Sequence, residues 1–273
     1  VHQHYLRIVL TVFIDTHAHL DYADFAPDIS AVLERARQAG VDRIVSIGTS
    51  VESSRRAVEL AQDEPMVYAA IGIHPTSVLE AERGAVAGLR RVAASSWRVA
   101  AIGETGLDYH HLPEGGPEAV AAYKSAQATL FRQQLDLAVE LGLNAIIHQR
   151  DAWEDTLNIL GEYTGRVRGV FHCFGGAPEE AAEVIALGHL VSFTGIVTFK
   201  NGAAVRETAA SVPPGSYMVE TDCPFLAPVP FRGGRCEPAH TRETAAAVAE
   251  ARSVSLEEVA AETTATAEKF FRL

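Results

Sequence analysis

The sequence predicts one α/β domain folded as a (β/α)8 barrel, with its functional residues at the carboxyl ends of the strands. Three observations carry that prediction. Eight short β-rich runs alternate with longer stretches of helical periodicity along the chain. No shift in composition divides the 273 residues, a length that suits a single barrel of about 250 residues. No GxGxxG or GxxxxGK(S/T) loop follows the first strand, as an open doubly wound sheet would normally show.

The first strand is read at residues 12–14, an apolar run stopped by a polar cluster. Residues 1–11 are read as a loose extension, or an upstream start, ahead of the barrel at 12–273. Residues 8–14 are apolar and follow Arg7, as in a signal peptide. The run nevertheless continues into Asp15-Thr16-His17-Ala18-His19 with no small-residue cleavage site between. Residues 27–39 predict a helix, with Ile29, Val32, Leu33 and Ala36 on one face and Gly40 as its left-handed terminator. The second strand is read at 43–47, followed by Gly48-Thr49-Ser50 and a helix through Leu60. The third lies at 67–73 with a helix within 77–94, and the fourth at 98–102. The next helix ends near Leu141-Gly142 and carries Phe131, Leu135 and Val139 at i, i+4 and i+8. A strand at 145–147 precedes a helix at 153–161, and a strand at 169–171 precedes a helix at 178–187 ending at Gly188. Strands at 189–193 and 217–219 and helices at 241–251 and 256–271 close the chain.

Composition narrows the function. The chain is 48% hydrophobic and 21% charged, enough apolar material for a sizeable core, which excludes wholesale disorder. Its formal charge of −12 argues against wrapping duplex DNA over a broad basic face. Nucleic acid, if handled, must enter a local pocket where metal ions supply positive charge. Only three of the 23 basic residues are lysines (Lys124, Lys200 and Lys269). Three cysteines, Cys173, Cys223 and Cys236, with no CxxC pair, exclude a disulfide scaffold and fit a reducing, cytoplasmic compartment. No apolar run approaches the ~20 residues that span a bilayer. Neither a membrane nor an obligate protein partner is expected.

The informative pattern is where polar residues fall relative to the strands. His17 and His19 follow strand one, His74 strand three, Glu104 strand four, His148 strand five, His172 strand six and Asp222 strand eight. In a parallel barrel those ends open on one face, so five imidazoles and two carboxylates converge in one mouth. A lone histidine at a strand end is ordinarily a hydrogen-bonded surface residue; this many placements together argue for metal. His17 and His19 are two apart on a strand and project to the same side, so both can reach one ion. Mixed imidazole and carboxylate sets suit Zn²⁺, Mn²⁺ or Fe²⁺, with Mg²⁺ where oxygen ligands dominate. A divalent ion brings the pKa of bound water near neutrality, and a pair about 3.5–4 Å apart clamps both reacting oxygens. Glu104 is the natural bridging carboxylate, and Asp222 is placed to ligate one ion and accept the proton of the attacking water. His74, beside Pro75, is divided between substrate contact and structure. His2, His4, His110, His111, His189 and His240 have no such case, although the loop of His110 and His111 could border the site. Asp15, Asp21 and Asp108 are read as capping turns or orienting imidazoles. Cys173 is read as turned away from the mouth into packing.

These motifs are Ile14-Asp15-Thr16-His17-Ala18-His19-Leu20, Gly72-Ile73-His74-Pro75, Gly103-Glu104-Thr105-Gly106-Leu107-Asp108-Tyr109, His148-Gln149-Arg150-Asp151-Ala152, His172-Cys173-Phe174-Gly175-Gly176 and Glu220-Thr221-Asp222-Cys223-Pro224. In this order they resemble the TatD family of metal-dependent deoxyribonucleases within the amidohydrolase-like hydrolases, from Phe13 to near the end of the chain. The resemblance implies a TIM barrel and two divalent metal ions, Mg²⁺ first, with Mn²⁺ or Zn²⁺ as alternatives. It also implies hydrolysis of DNA phosphodiester bonds with 3′→5′ exonuclease action. By position, His17, His19, Glu104 and Asp222 resemble the ligands of one ion, and Glu104, His148 and His172 those of the other. Thr105, Cys223 and Cys236 depart from the family, which usually has an aliphatic residue, a small hydroxyl residue and Asn there.

Phosphate needs cations beyond the metals. Arg150, two residues past His148, is the first candidate, because a guanidinium can grip phosphate oxygens bidentately; Arg232, Arg235 and Lys200 follow. Two rival readings remain. One is an amidohydrolase-type hydrolase of a cyclic amide, lactone or other ester; its variant with a carboxylated lysine is disfavoured, since no lysine ends strand four or five. The other is a non-catalytic metal-binding scaffold.

Overall fold

A computed structural model describes residues 11–82 and 84–273; the proposed extension, but for Thr11, lies outside them. Strand β1 (Phe13–Ala18) leads into helix α1 (Ile29–Gln38), and the alternation continues through β2 (Val41–Ile47), α2 (Val51–Asp63), β3 (Val67–Ile71), α3 (Ala85–Ala93) and β4 (Val99–Asp108). The second half runs α4 (Gly116–Leu141), β5 (Asn144–Arg150), α5 (Trp153–Gly161), β6 (Gly169–Phe171), α6 (Pro178–Ala186), β7 (Leu190–Phe193), α7 (Ala203–Ser211) and β8 (Tyr217–Val219). Helices α8 (Thr241–Arg252) and α9 (Leu256–Phe271) follow. The eight strands lie side by side in sequence order and every paired neighbour is parallel. Beyond the end of β8, a parallel bridge between Ala18 and Cys223 brings the last strand back to the first, giving the predicted barrel.

Apolar residues segregate as a barrel requires. Ile14, Val45, Ala101, Ile146, Val170 and Met218 fill the interior, which Phe270 and Phe271 of α9 join. A larger set, including Phe13, Ile44, Ile71, Phe131 and Val219, packs between the strands and their outer helices. Gly40 ends α1 at φ 87° as anticipated, and Gly142 ends α4 at φ 65°.

The structure departs from the sequence expectation in two respects. Strands β1, β4 and β5 run beyond their apolar stretches through Asp15-Thr16-His17, through Glu104 to Asp108, and through His148 to Arg150. An apolar run therefore marks only the lower part of these strands, while their polar upper parts stay in the sheet. Helix α7 was not anticipated. Its buried face is Val205, Thr208 and Ala209, too short and too weakly apolar for periodicity to reveal. Helix α3 is nine residues within the broader stretch expected.

Helix α4 does more than cover the barrel. Its buried Gln127 and Gln134 share a face at i, i+7. Gln134 accepts from the Ile73 amide (2.7 Å) and donates to Ile73 O (3.0 Å) and Thr105 Oγ1 (2.7 Å). Gln127 clamps both backbone groups of Asp108, at 2.9 and 3.0 Å. These bonds flank the point where the β4–β5 register shifts, between Ile102 and Thr105, which is where Glu104 projects.

Candidate metal centre and its cavity

The junction of β8 with β1 assembles the first part of the site. The Asp222 amide donates to His17 O and the His19 amide to Cys223 O, both at 2.8 Å. Buried Asp15 accepts from the Thr221 hydroxyl (2.6 Å), the Thr221 amide (3.0 Å) and the His17 amide (3.3 Å). Asp15 thus pins the backbone on both sides of the junction rather than orienting an imidazole, and burial pushes its pKa up to about 7. Asp21 likewise bonds to no imidazole among the described residues and pairs with Arg56 at 2.8 Å. Asp222 has φ 60°, a left-handed conformation that aspartate tolerates at a cost of about 1 kcal/mol or more.

Here the seven predicted residues meet. His17 Nε2 lies 3.3 Å from His19 Nε2, 3.5 Å from Glu104 Oε2 and 3.6 Å from Asp222 Oδ1. His19 Nε2 lies 3.3 Å from Asp222 Oδ1. The second Glu104 oxygen, Oε1, faces the other way: His172 Nε2 at 2.7 Å, His148 Nδ1 at 2.9 Å and His74 Nε2 at 3.4 Å. Glu104 therefore divides its two oxygens between two groups of imidazoles. Among the described residues three sets have ligand atoms close enough to share an ion: His17 with His19 and Asp222, His17 with Glu104 and His172, and His74 with Glu104 and His148.

His74 enters this cluster more fully than its sequence position implied. Its Nδ1 accepts from the Thr76 amide at 3.2 Å, which leaves the proton on Nε2 and makes that nitrogen a donor toward Glu104.

Two further carboxylates stand behind the imidazoles. Asp108 Oδ2 lies 3.1 Å from His148 Nε2 and 2.9 Å from His111 Nδ1. Glu220 Oε1 lies 3.6 Å from His172 Nδ1 and accepts the Cys173 amide at 2.7 Å, while its other oxygen accepts from Ser192 Oγ at 2.5 Å. Sequence reasoning anticipated an orienting role for Asp108 and missed Glu220. The signal for Glu220 was an acid within an otherwise apolar strand end, two residues before Asp222.

The electrostatics of the cluster ask for a cation. Burial alone would protonate Glu104, but His172, His74, His148 and His17 outweigh it and hold the carboxyl well below its ordinary value. Burial likewise opposes charge on His172, yet Glu104 and Glu220 hold its pKa well above the imidazole norm. Asp222 is kept ionised against burial by His19 and His17. Two buried anions are thus ringed by imidazoles. The Nδ1 atoms of His17, His19 and His172 find no hydrogen-bond partner among the described residues. His17 and His19 also aim ring nitrogens at each other across 3.3 Å. A donor set of this kind fits divalent cations, which ligate neutral imidazole and carboxylate and neutralise the buried charge.

The cluster opens into a cavity of about 1140 Å³ whose walls include His148, Arg150, Trp153, His172, Asp222 and Phe225. Cys173 also lines it, contrary to the packing role expected; its left-handed backbone, φ 49°, defeats simple strand alternation. Burial pushes its thiol up to about 12, so it supplies no thiolate near neutrality. Arg150 is exposed and makes no ion pair among the described residues. Arg235 is held by Asp28 and Glu237, and Arg232 lies over the Phe199 ring at 3.7 Å. The structure records no contact that ties Lys200 to the cluster. His110 and His111 border the site through Asp151 and Asp108. His189 and His240 lie apart from it, on Gly169 and Phe231, and His2 and His4 fall outside the described residues.

A (β/α)8 barrel with histidines and acids gathered at one end of its sheet defines a metal-dependent hydrolase. The chain belongs to the family of TatD related DNases, whose sequence model matches residues 14–272. It is 40% identical to the uncharacterized metal-dependent hydrolase YabD of Bacillus subtilis, over 96% of this chain and 100% of that one. It is 34% identical to the 3′-5′ ssDNA/RNA exonuclease TatD of Erwinia tasmaniensis, over 95% of this chain and 99% of the relative. The crystal structure of YjjV, a TatD homologue from Escherichia coli K12, superposes with a TM-score of 0.87 at 29% identity, covering 96% of this chain and 98% of that one. Among the described residues no helix is long and apolar enough to cross a membrane.

Proposed function

We propose that this hydrolase cleaves phosphodiester bonds of DNA, removing nucleotides from the 3′ end of single strands in a local pocket. The observation that carries this reading is the split of Glu104 between two imidazole groups at the floor of an open cavity with an unpaired arginine on its wall. The activity named for the Erwinia tasmaniensis relative supports it.

His17, His19, Glu104 and Asp222 would hold one divalent ion, and Glu104, His148 and His172 a second, with Mg²⁺ the first choice and Mn²⁺ or Zn²⁺ next. Bound there, the ions would activate water near neutral pH and neutralise charge developing on the phosphate. The chain's own residues do the rest. Asp222, 15% exposed at the cavity floor, accepts the proton of the attacking water. Arg150 grips a non-bridging phosphate oxygen from the rim, and His74 donates through Nε2 toward the same face of Glu104. Asp108 fixes the ring of His148 through a 3.1 Å contact, and Glu220, 3.6 Å from His172 Nδ1, favours positive charge on that ring. The −12 charge is compatible because the attraction is local. A carboxylated lysine has no place in this scheme, since no lysine lies on a strand: Lys124 is in α4, Lys200 follows β7 and Lys269 lies in α9.

A 5′-labelled single strand incubated with the protein and Mg²⁺, Mn²⁺ or Zn²⁺ should shorten stepwise from its 3′ end. Asp222→Asn should abolish that shortening. No shortening with any of the three ions, or hydrolysis of a lactone, dihydropyrimidine or phosphotriester instead, would overturn the reading.

A further inference from the structure

Phe225 is out of keeping with the polar cluster beside it. It follows Asp222 by three residues, and its amide donates to Asp222 O at 3.0 Å in a tight turn. The ring stands edge-on to His19, 6.3 Å between centroids, and to Tyr22 at 6.1 Å. It nevertheless remains 51% exposed and lines the cavity that opens from the cluster. The next residue, Leu226, has φ 55°, a conformation that branched side chains rarely adopt. With Asp222 at φ 60°, the turn uses two unfavourable backbone positions to hold a phenyl ring at the lip rather than in the core.

The remaining walls say what the ring can take. Among the described residues Arg150 is the only arginine or lysine lining the cavity, whose walls also carry Asp151, Glu154, Asp155 and Glu180. Such walls accept one phosphate beside the metals and repel further ones, so what lies against Phe225 must be uncharged and flat-faced. A nucleobase meets both conditions and stacks on aromatic side chains regardless of sequence.

We propose that Phe225 is the platform on which the 3′-terminal base of the substrate stacks, with Tyr22 buttressing its edge. The proposal rests on the DNA reading above and adds the subsite that registers a terminal nucleotide against the metals. Base contact, not phosphate contact alone, then positions the scissile bond.

The test compares two single strands identical except at the 3′ terminus, one ending in a normal nucleotide and one in a tetrahydrofuran abasic analogue. The parent protein should cleave the base-bearing end with a kcat/KM about 5- to 150-fold higher, the span expected for one base–aromatic stack. In Phe225→Ala that ratio should collapse toward one, chiefly through KM, and Phe225→Trp should keep it. Melting temperature and metal affinity by calorimetry confirm that each variant is folded and loaded. A ratio near one in the parent, or an unchanged ratio in Phe225→Ala, overturns the platform while leaving DNA hydrolysis standing. Cleavage of neither strand by the parent overturns both.

Discussion

Asp108 and His148 meet at 3.1 Å between Oδ2 and Nε2, and this contact turns the opposite nitrogen of the ring, Nδ1, toward Glu104 at 2.9 Å. Burial raises the Asp108 pKa, but the bonds from His148 and His111 outweigh it and keep the carboxyl ionised and accepting. The proton of a neutral His148 is therefore held on Nε2, leaving the Nδ1 lone pair for a cation. Asp108→Asn replaces that acceptor with an amide that can present its NH₂ group and upset the tautomer. Divalent-metal affinity measured by calorimetry should fall about 10- to 100-fold, the usual loss when such an outer partner is removed. Unchanged affinity would show that His148 needs no such orientation.

Removing the metal is the bluntest test of the centre. EDTA should abolish hydrolysis, and adding back Mg²⁺ or Mn²⁺ should restore it. His148→Ala should lower kcat/KM by two orders of magnitude or more, because it opens the side of Glu104 that faces His172 and His74. Undiminished digestion in chelator would remove the metal mechanism altogether.

Arg150 makes no ion pair among the described residues yet stands on the cavity wall, so its truncation should damage binding and not folding. Arg150→Ala should raise KM for a single strand about 10-fold with little change in melting temperature, consistent with loss of one charge-assisted contact. Full activity in that variant would assign phosphate handling to the metals alone.

Helix α4 offers a structural prediction. Replacing Gln134 by Leu leaves the amide and carbonyl of Ile73 without their partner in a buried setting. Chemical denaturation should show a loss of about 2–4 kcal/mol, since orphaned buried polar groups cost more than their bonds contributed. A neutral outcome would mean that water replaces the amide.

The barrel and the convergence of the seven candidate residues were legible because strand alternation and strand-end chemistry are local signals that the topology then superimposes. What stayed hidden needed tertiary information. The polar upper parts of β1, β4 and β5 look like loops until neighbouring strands are seen to pair with them, and Gln134 is an ordinary helical glutamine until it meets Ile73 and Thr105. Cys173 defeated alternation because its φ is positive, and Glu220 escaped notice because its partners, Ser192 of β7 and the Cys173 amide just past β6, are distant in sequence. The resemblance supplied the substrate; no composition or spacing argument reached it.

His189 lies away from the cluster and gives the protein a pH dependence of its own. Its Nδ1 accepts from the Gly169 amide at 2.9 Å, and burial, aided by Arg168, lowers its pKa to about 4. In the unfolded chain an imidazole titrates near 6.5. Between those values the unfolded state binds the extra proton, so stability rises with pH across this window. The contribution is whole above about pH 6.5 and is lost as pH falls toward 4, amounting to about 2 kcal/mol by pH 5. His189→Asn keeps an acceptor near the position of Nδ1 but cannot titrate. Urea unfolding of the two proteins at pH 7.5 and pH 5 should show the parent losing about 2 kcal/mol more than the variant over that interval. Parallel losses would mean that the native state accommodates the protonated ring, and with it that the Gly169 bond is not what fixes the seventh strand against the sixth.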